Sequence, residues 1–288
     1  VPAVIKAAKS CDQHLFASFL IVLFSFLKNN PWPRSEKALQ LLGEMAPYYD
    51  EEQLADSITA FLFCGEYFIS PEVAFTATGK ITAYYNNAKF SNLLLALPRY
   101  AKDKNYRTRV AAALLSGGMA KHCDKRQFTS LINMLFSWLK VAGFNSNDAE
   151  EDDYEDACVR KAVVDVLGEI AKHCDKKQLA TLRNVLLSRF RDCDSDVRAA
   201  ATKAVGKTAK CCDNRIRLEL ITALYCDLVN DSGKIYDESN EVLNKITVPG
   251  YESLYRGNVW SFCLYLNRNC RRGGGPTKGE KALIQVVS

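Results

Sequence analysis

The sequence predicts an all-α chain: a right-handed α-solenoid of about seven antiparallel helix pairs, each unit close to 38 residues long. Three observations carry that expectation. A phrase recurs, as Leu-Gly-Glu-Ile-Ala-Lys-His-Cys-Asp at 167–175, as Val-Gly-Lys-Thr-Ala-Lys-Cys-Cys-Asp at 205–213, and as Gly-Gly-Met-Ala-Lys-His-Cys-Asp at 117–124. Its spacing is nearly constant, which is the mark of a repeat array. Between the phrases, apolar residues fall at helical intervals.

Anchored on the residue after the Cys or Tyr that closes each phrase, the units begin at Asp12, Asp50, Asn86, Asp124, Asp175 and Asp213, with Tyr251 as a degenerate seventh. The intervals are 38, 36, 38, 51, 38 and 38 residues. The long interval exceeds the regular one by 13 residues, and the surplus is an acidic segment at 145–156, expected as an inter-helix loop. The array should occupy 1–272 as a single domain. The glycine-rich stretch from Gly273 opens a flexible tail at 273–288.

Each unit divides into two helices. The anchor Asp is a natural N-cap, and Gln53, Gln127 and Gln178 stand three residues on, completing a capping box in three units. In the clearest unit the first helix carries Leu179, Leu182, Val185, Leu186 and Phe190 at helical spacing. The turn at 191–195 breaks it, and an alanine-rich second helix runs from about Asp196 to Lys210. Gly43, Gly79, Gly117, Gly168 and Gly206 each lie seven residues before their anchors. A helical Gly costs about 1 kcal/mol relative to Ala, so its recurrence implies a close approach of neighbouring helices.

The run Asp194-Ser-Asp-Val-Arg198-Ala-Ala-Ala-Thr-Lys-Ala-Val-Gly206 resembles a HEAT repeat, with the turn Asp, the Val-Arg pair and an alanine-rich second helix. Asp156 with Val159-Arg160 matches, and Asp103 with Arg109-Val110 matches loosely. The rhythm covers nearly the whole chain, the Asp/Arg signature only these three units. The Pro common early in the first helix of HEAT repeats is missing. Pro31, Pro33 and Pro71 mark degenerate flanking units, where armadillo-like packing is the alternative.

The apolar fraction of 48%, charged fraction of 25% and net charge of +5 suit a soluble folded protein and fall short of the block basicity of a dedicated nucleic-acid binder. Eleven cysteines without disulfide-domain spacing read as thiols in a reducing compartment, so a cytoplasmic location is expected. The apolar run at 15–27 is 13 residues long, too short to span a bilayer, and reads as a strongly buried helix. Starting at Val1 in mid-pattern, the chain looks trimmed from something longer.

His122-Cys123-Asp124 and His173-Cys174-Asp175 have the look of catalytic or metal-binding triplets. Cys11, Cys123, Cys174 and Cys212 share their repeat position with Tyr49 and Tyr85, which marks a packing column. Three consecutive residues also point in different directions and cannot converge on a metal. The iron-bearing His-Glu pairs of the HEAT-like deoxyhypusine hydroxylases are absent, since His14, His122 and His173 are followed by Leu or Cys. No catalytic residue, metal or cofactor is expected.

Lys9, Lys121, Lys172 and Lys210 stand three residues before their anchors and form a column. As helix-end cations they complement the macrodipole. As a ladder they would grip phosphates or an acidic peptide. Asp165 and Glu169 of one unit give way to Lys203 and Lys207 in the next, which suggests pairing between repeats. The acidic residues Asp148, Glu150, Glu151, Asp152, Asp153 and Glu155 read as a solvated loop or as a hook for a basic partner, and Trp32 as an exposed contact residue. Trp138 falls on a first helix and reads as core.

Together these features imply a non-enzymatic scaffold that binds a protein or peptide through its concave face and edge loops. The repeated phrase is also similar to HEAT arrays encoded by some intracellular bacteria, which implies delivery into a host cytosol as an alternative location. The other readings are a HEAT-like nucleic-acid-binding or DNA-repair protein, and a lyase or chaperone for a small molecule.

Overall fold

A computed structural model describes residues 6, 13–29, 34–63, 71–141, 152–213 and short runs or single residues between 216 and 245. Its contacts divide the chain into two compact units, Val1–His173 and Cys174–Ser288. Among the described residues every regular element is helical.

The first unit holds four consecutive pairs: α1 Gln13–Asn29 and α2 Arg34–Met45, α3 Glu51–Phe63 and α4 Pro71–Thr82, α5 Asn87–Tyr100 and α6 Tyr106–Met119, α7 Lys125–Val141 and α8 Asp152–Ile170. Second helices stack on second helices, α2 on α4, α4 on α6 and α6 on α8. The first helices form the other layer, with α1 on α3 and α5 on α7. The second unit contains a fifth pair, α9 Lys176–Arg189 and α10 Ser195–Ala209. Two layers of helix pairs at the repeat period are the construction of an armadillo- or HEAT-type helical repeat.

The anchors do what their residue types dictate. Asp50, Asp124 and Asp175 each accept the N–H of the Gln three residues on, while that Gln side chain accepts the anchor's own N–H, at 2.8–3.1 Å. Asn86 caps Lys89 at 2.9 Å and Asp213 caps Ile216 at 3.0 Å. Two orphan N–H groups are thereby satisfied at each boxed helix start.

The second helices are alanine-rich because they are enclosed on several sides. On α6, Ala111, Ala112, Ala113, Leu114, Leu115, Ser116, Gly118 and Met119 are all buried. The recurrent glycines have a specific cause. A Cβ on Gly43 would stand 2.8 Å from the Cα of Ala77 on α4, and one on Gly117 would stand 2.5 Å from the ring of Phe75. Gly79 lies under the end of the Lys121 side chain, and in the second unit Gly206 lies under Val242. Close approach therefore holds at these four positions.

Two expectations need correction. α1 is not buried all round: Phe16, Leu20, Leu23 and Leu27 face the core, while Leu15, Ile21 and Val22 are 60–68% exposed. It packs on α2 and α3 along one stripe. Nor is 145–156 wholly a loop, because α8 begins at Asp152. Compared with the pair before it, α7 is three residues longer than α5, α8 is five longer than α6, and the connection has ten residues where α5–α6 has five. The 13 surplus residues are thus shared between two helices and their connection. Carboxylates favour a helix N-terminus, and Asp156 holds Arg109 at 3.2 Å, with Glu155 at 3.9 Å.

Trp138 is buried on α7, as its helical register implied. The seventh unit at Tyr251, the tail at 273–288, Lys9, Trp32, Asp148, Glu150 and Glu151 lie outside the described residues, and so do the side chains of Asp152 and Asp153. Among the described residues, no helix is long and apolar enough to cross a membrane.

Candidate functional site

The second-helix layer of the first unit carries an open groove of about 290 Å³ across α4, α6 and the end of α8. Glu72, Phe75, Thr76 and Lys80 line it from α4. Gly117 and Gly118 form its floor on α6, and Lys121 stands in the 3-10 turn that follows. Glu169 and Ile170 close it from α8, with Lys172 and His173 from the next 3-10 turn.

Repeat geometry assembles this set. Lys80, Gly118 and Glu169 occupy one position, six residues before their anchors, and Lys121 and Lys172 occupy another, three before. Positions three apart share a helix face. Glycine at Gly117 gives the Phe75 ring its seat, and glycine at Gly79 does the same for the Lys121 stem.

The electrostatics are uneven. Lys80 pairs with Glu44 from the preceding repeat. Lys121 and Lys172 are exposed, and among the described residues neither makes an ion pair. Partial burial lowers the Lys121 pKa, and the charges of Lys172 and Lys80 lower it further. The same forces act on His173, whose pKa falls through burial first and then through Lys172 and Lys121. His173 is therefore neutral at pH 7, with its ring edge-on to Phe128 at 6.3 Å.

His122 is engaged elsewhere. Its Nε2–H donates to the Gly79 carbonyl at 2.8 Å, which ties one second helix to the next. Cys123 and Cys174 are half-buried, and burial pushes both thiols up to about 12, with their anchor Asp adding to the shift. The tyrosines in that column behave alike: Tyr49 donates to the Leu42 carbonyl at 3.0 Å and Tyr85 to the Leu54 carbonyl at 3.1 Å. The column is one of packing and hydrogen bonding. Among the described residues, no group of three or more His, Cys, Asp or Glu side chains is placed to hold a metal.

Of the residues singled out from sequence, the structure brings Lys121 and Lys172 together and adds Glu169. Glu155 lies 17 residues before Lys172, about 25 Å away along α8. Lys203, Lys207 and Lys210 belong to the second unit, on α10 and the turn after it. There Lys203 acts on Glu241, whose carboxyl is held low chiefly by its hydrogen bond to Lys245. Asp165 pairs with Lys161 on its own helix at 3.5 Å. Pairs at repeat spacing form between Lys80 and Glu44, between Lys89 and Glu51 at 2.7 Å, and between Arg183 and Glu219 in the second unit.

Sequence reasoning missed Phe75 and Lys80. The signal was available in the repeat alignment, since Lys80 lies one position-class away from the lysine column and on the same helix face.

No protein-family model and no curated protein matches this chain. Among solved structures it is similar to a designed armadillo repeat protein in complex with the peptide (KR)4, at 18% identity over 85% of this chain and 99% of that one, with a TM-score of 0.41. It is also similar to a computationally designed armadillo repeat protein for modular peptide recognition, at 20% identity over 79% and 100%, TM-score 0.39. A third, an engineered protein, matches at 14% identity over 84% and 56%, TM-score 0.42.

Proposed function

We propose that the chain is a non-enzymatic scaffold that binds a protein or peptide partner on the second-helix face of its first unit. The observation that carries this reading is the groove across α4, α6 and α8, open to solvent and lined by side chains from three successive repeats. A surface built once per repeat suits an extended ligand better than a compact one, because each repeat presents its own small set of contacts. Helix axes packed 8–10 Å apart put about 16–20 Å between α4 and α8, the reach of five or six extended residues.

A photocrosslinking amino acid at Thr76, exposed in the groove, tests the reading against the same probe at Ser130, exposed on α7 of the other layer. Crosslinks to protein partners should form from Thr76 and not from Ser130. The reverse pattern, or none from Thr76, rejects it. Nucleic-acid binding is the rival, and Glu72 and Glu169 in the groove walls weigh against a continuous polyanion. Steep loss of DNA affinity with salt would favour that rival.

A further inference from the structure

We infer that the groove's occupant is an extended acidic peptide, one carboxylate of which bridges Lys121 and Lys172 while an apolar neighbour lies on Phe75. This rests on the scaffold reading and adds the chemistry of the ligand. Lys80 is already neutralised by Glu44, which leaves Lys121 and Lys172 as the groove's cations lacking an ion pair among the described residues. They stand close enough to repel one another, and an anion between them relieves that repulsion.

The surrounding residues narrow the ligand. Gly117 and Gly118 let α4 and α6 pack closely beneath the groove, Gly117 under the Phe75 ring and Gly118 under Thr78. Phe75, fixed against Gly117, offers one apolar surface beside the cations. Glu72 and Glu169 interrupt the positive field on both walls. A uniform polyanion would meet these carboxylates, whereas a peptide can place neutral residues there. Acids alternating with apolar residues fit the pattern.

The chain's own acidic segment cannot be this occupant within one molecule. It joins the end of α7 to the start of α8 with ten residues, 142–151, spanning at most about 36 Å when fully extended. The groove's lysine on α8 lies beyond the far end of that 19-residue helix, about 28 Å from its start. Going there and back would need about 56 Å. That segment is thereby excluded as the occupant.

Fluorescence anisotropy with a labelled (Asp-Leu)4 peptide and the full chain tests the proposal. Binding should weaken about fivefold in Lys121→Gln and again in Lys172→Gln, each losing a partly exposed ion pair. Lys125→Gln on the other layer should leave it unchanged, and circular dichroism should show all three variants folded. Peptide should also raise the His173 pKa, read from its ring proton shifts, because a carboxylate cancels the field of the two lysines. Equal binding by the double variant, an unmoved His173, or tighter binding of (Lys-Leu)4 or of single-stranded DNA would each overturn the proposal. Crosslinks at Thr76 without acidic-peptide binding would leave a scaffold with different ligand chemistry. Acidic-peptide binding without those crosslinks would reject the scaffold and leave an anion site.

Discussion

Gly43→Ala sets two well-characterised effects against each other. Alanine gains about 1 kcal/mol of helix propensity over glycine. On α2, however, the new methyl would stand 2.8 Å from Ala77 Cα and 3.2 Å from both Ala77 Cβ and Ala77 O. Ordinary contact begins about 0.6 Å farther out, and here the obstacle is backbone, so α2 must move off α4. Overpacking of this kind costs about 1–3 kcal/mol, and propensity offsets only part of it. The net expectation is a loss of up to about 2 kcal/mol, or a fall of up to several degrees in the thermal midpoint by circular dichroism. Gly79→Ala is the control. Its methyl meets the flexible end of Lys121 at 2.8 Å, with the Gly118 carbonyl at 3.1 Å, and stability should change by about 0.5 kcal/mol or less. A higher midpoint for Gly43→Ala would refute the claim that close approach fixes the glycine column.

Other outcomes follow from the same structure. Asp124→Ala, which removes the carboxylate that accepts the Arg126 and Gln127 N–H groups, should cost about 1 kcal/mol in urea unfolding, with Asp124→Asn nearly neutral. Arg109→Ala should cost about 2 kcal/mol, because its guanidinium donates to the Asp103 and Lys104 carbonyls and to Asp156; Lys, which lacks the planar fork, should not restore it. Burial pushes the Tyr85 hydroxyl up to about 12, so the unfolded chain releases that proton first. Its contribution is complete below pH 10 and is lost as pH rises towards about 12, a slope that Tyr85→Phe should flatten in alkaline unfolding. Iodoacetamide at pH 8 should label the exposed Cys193 and Cys211 well before Cys123 and Cys174, as read by mass spectrometry.

Helix starts and the two-layer repeat were legible because they are written locally: an Asp and a Gln three residues apart specify a cap whatever surrounds them. The glycine column was equally legible, since a helical glycine repeated at one position demands a reason. The boundary of the acidic segment was not. Counting residues reveals a surplus of 13 but not where helix resumes, at Asp152, one turn before the Asp156 that pairs with Arg109 of the preceding pair. The exposed side of α1 was hidden for a similar reason, because Leu15, Ile21 and Val22 are as apolar as the residues facing α2 and α3. The groove needed the structure most. Phe75 and Lys80 come from one repeat, Lys121 from the next and Lys172 from the one after, and only packing shows that they meet.

The boxed caps carry a consequence for how such a chain can change. Because Asp50, Asp124 and Asp175 each mark a helix start with residues three positions away, the instruction travels with the unit. Recombination that duplicates or deletes one period would carry an intact start signal at the new junction. An extra dozen residues between two starts likewise leaves both in register. The array is therefore built for length variation, and the number of contact sets it presents can change without redesign of any one of them.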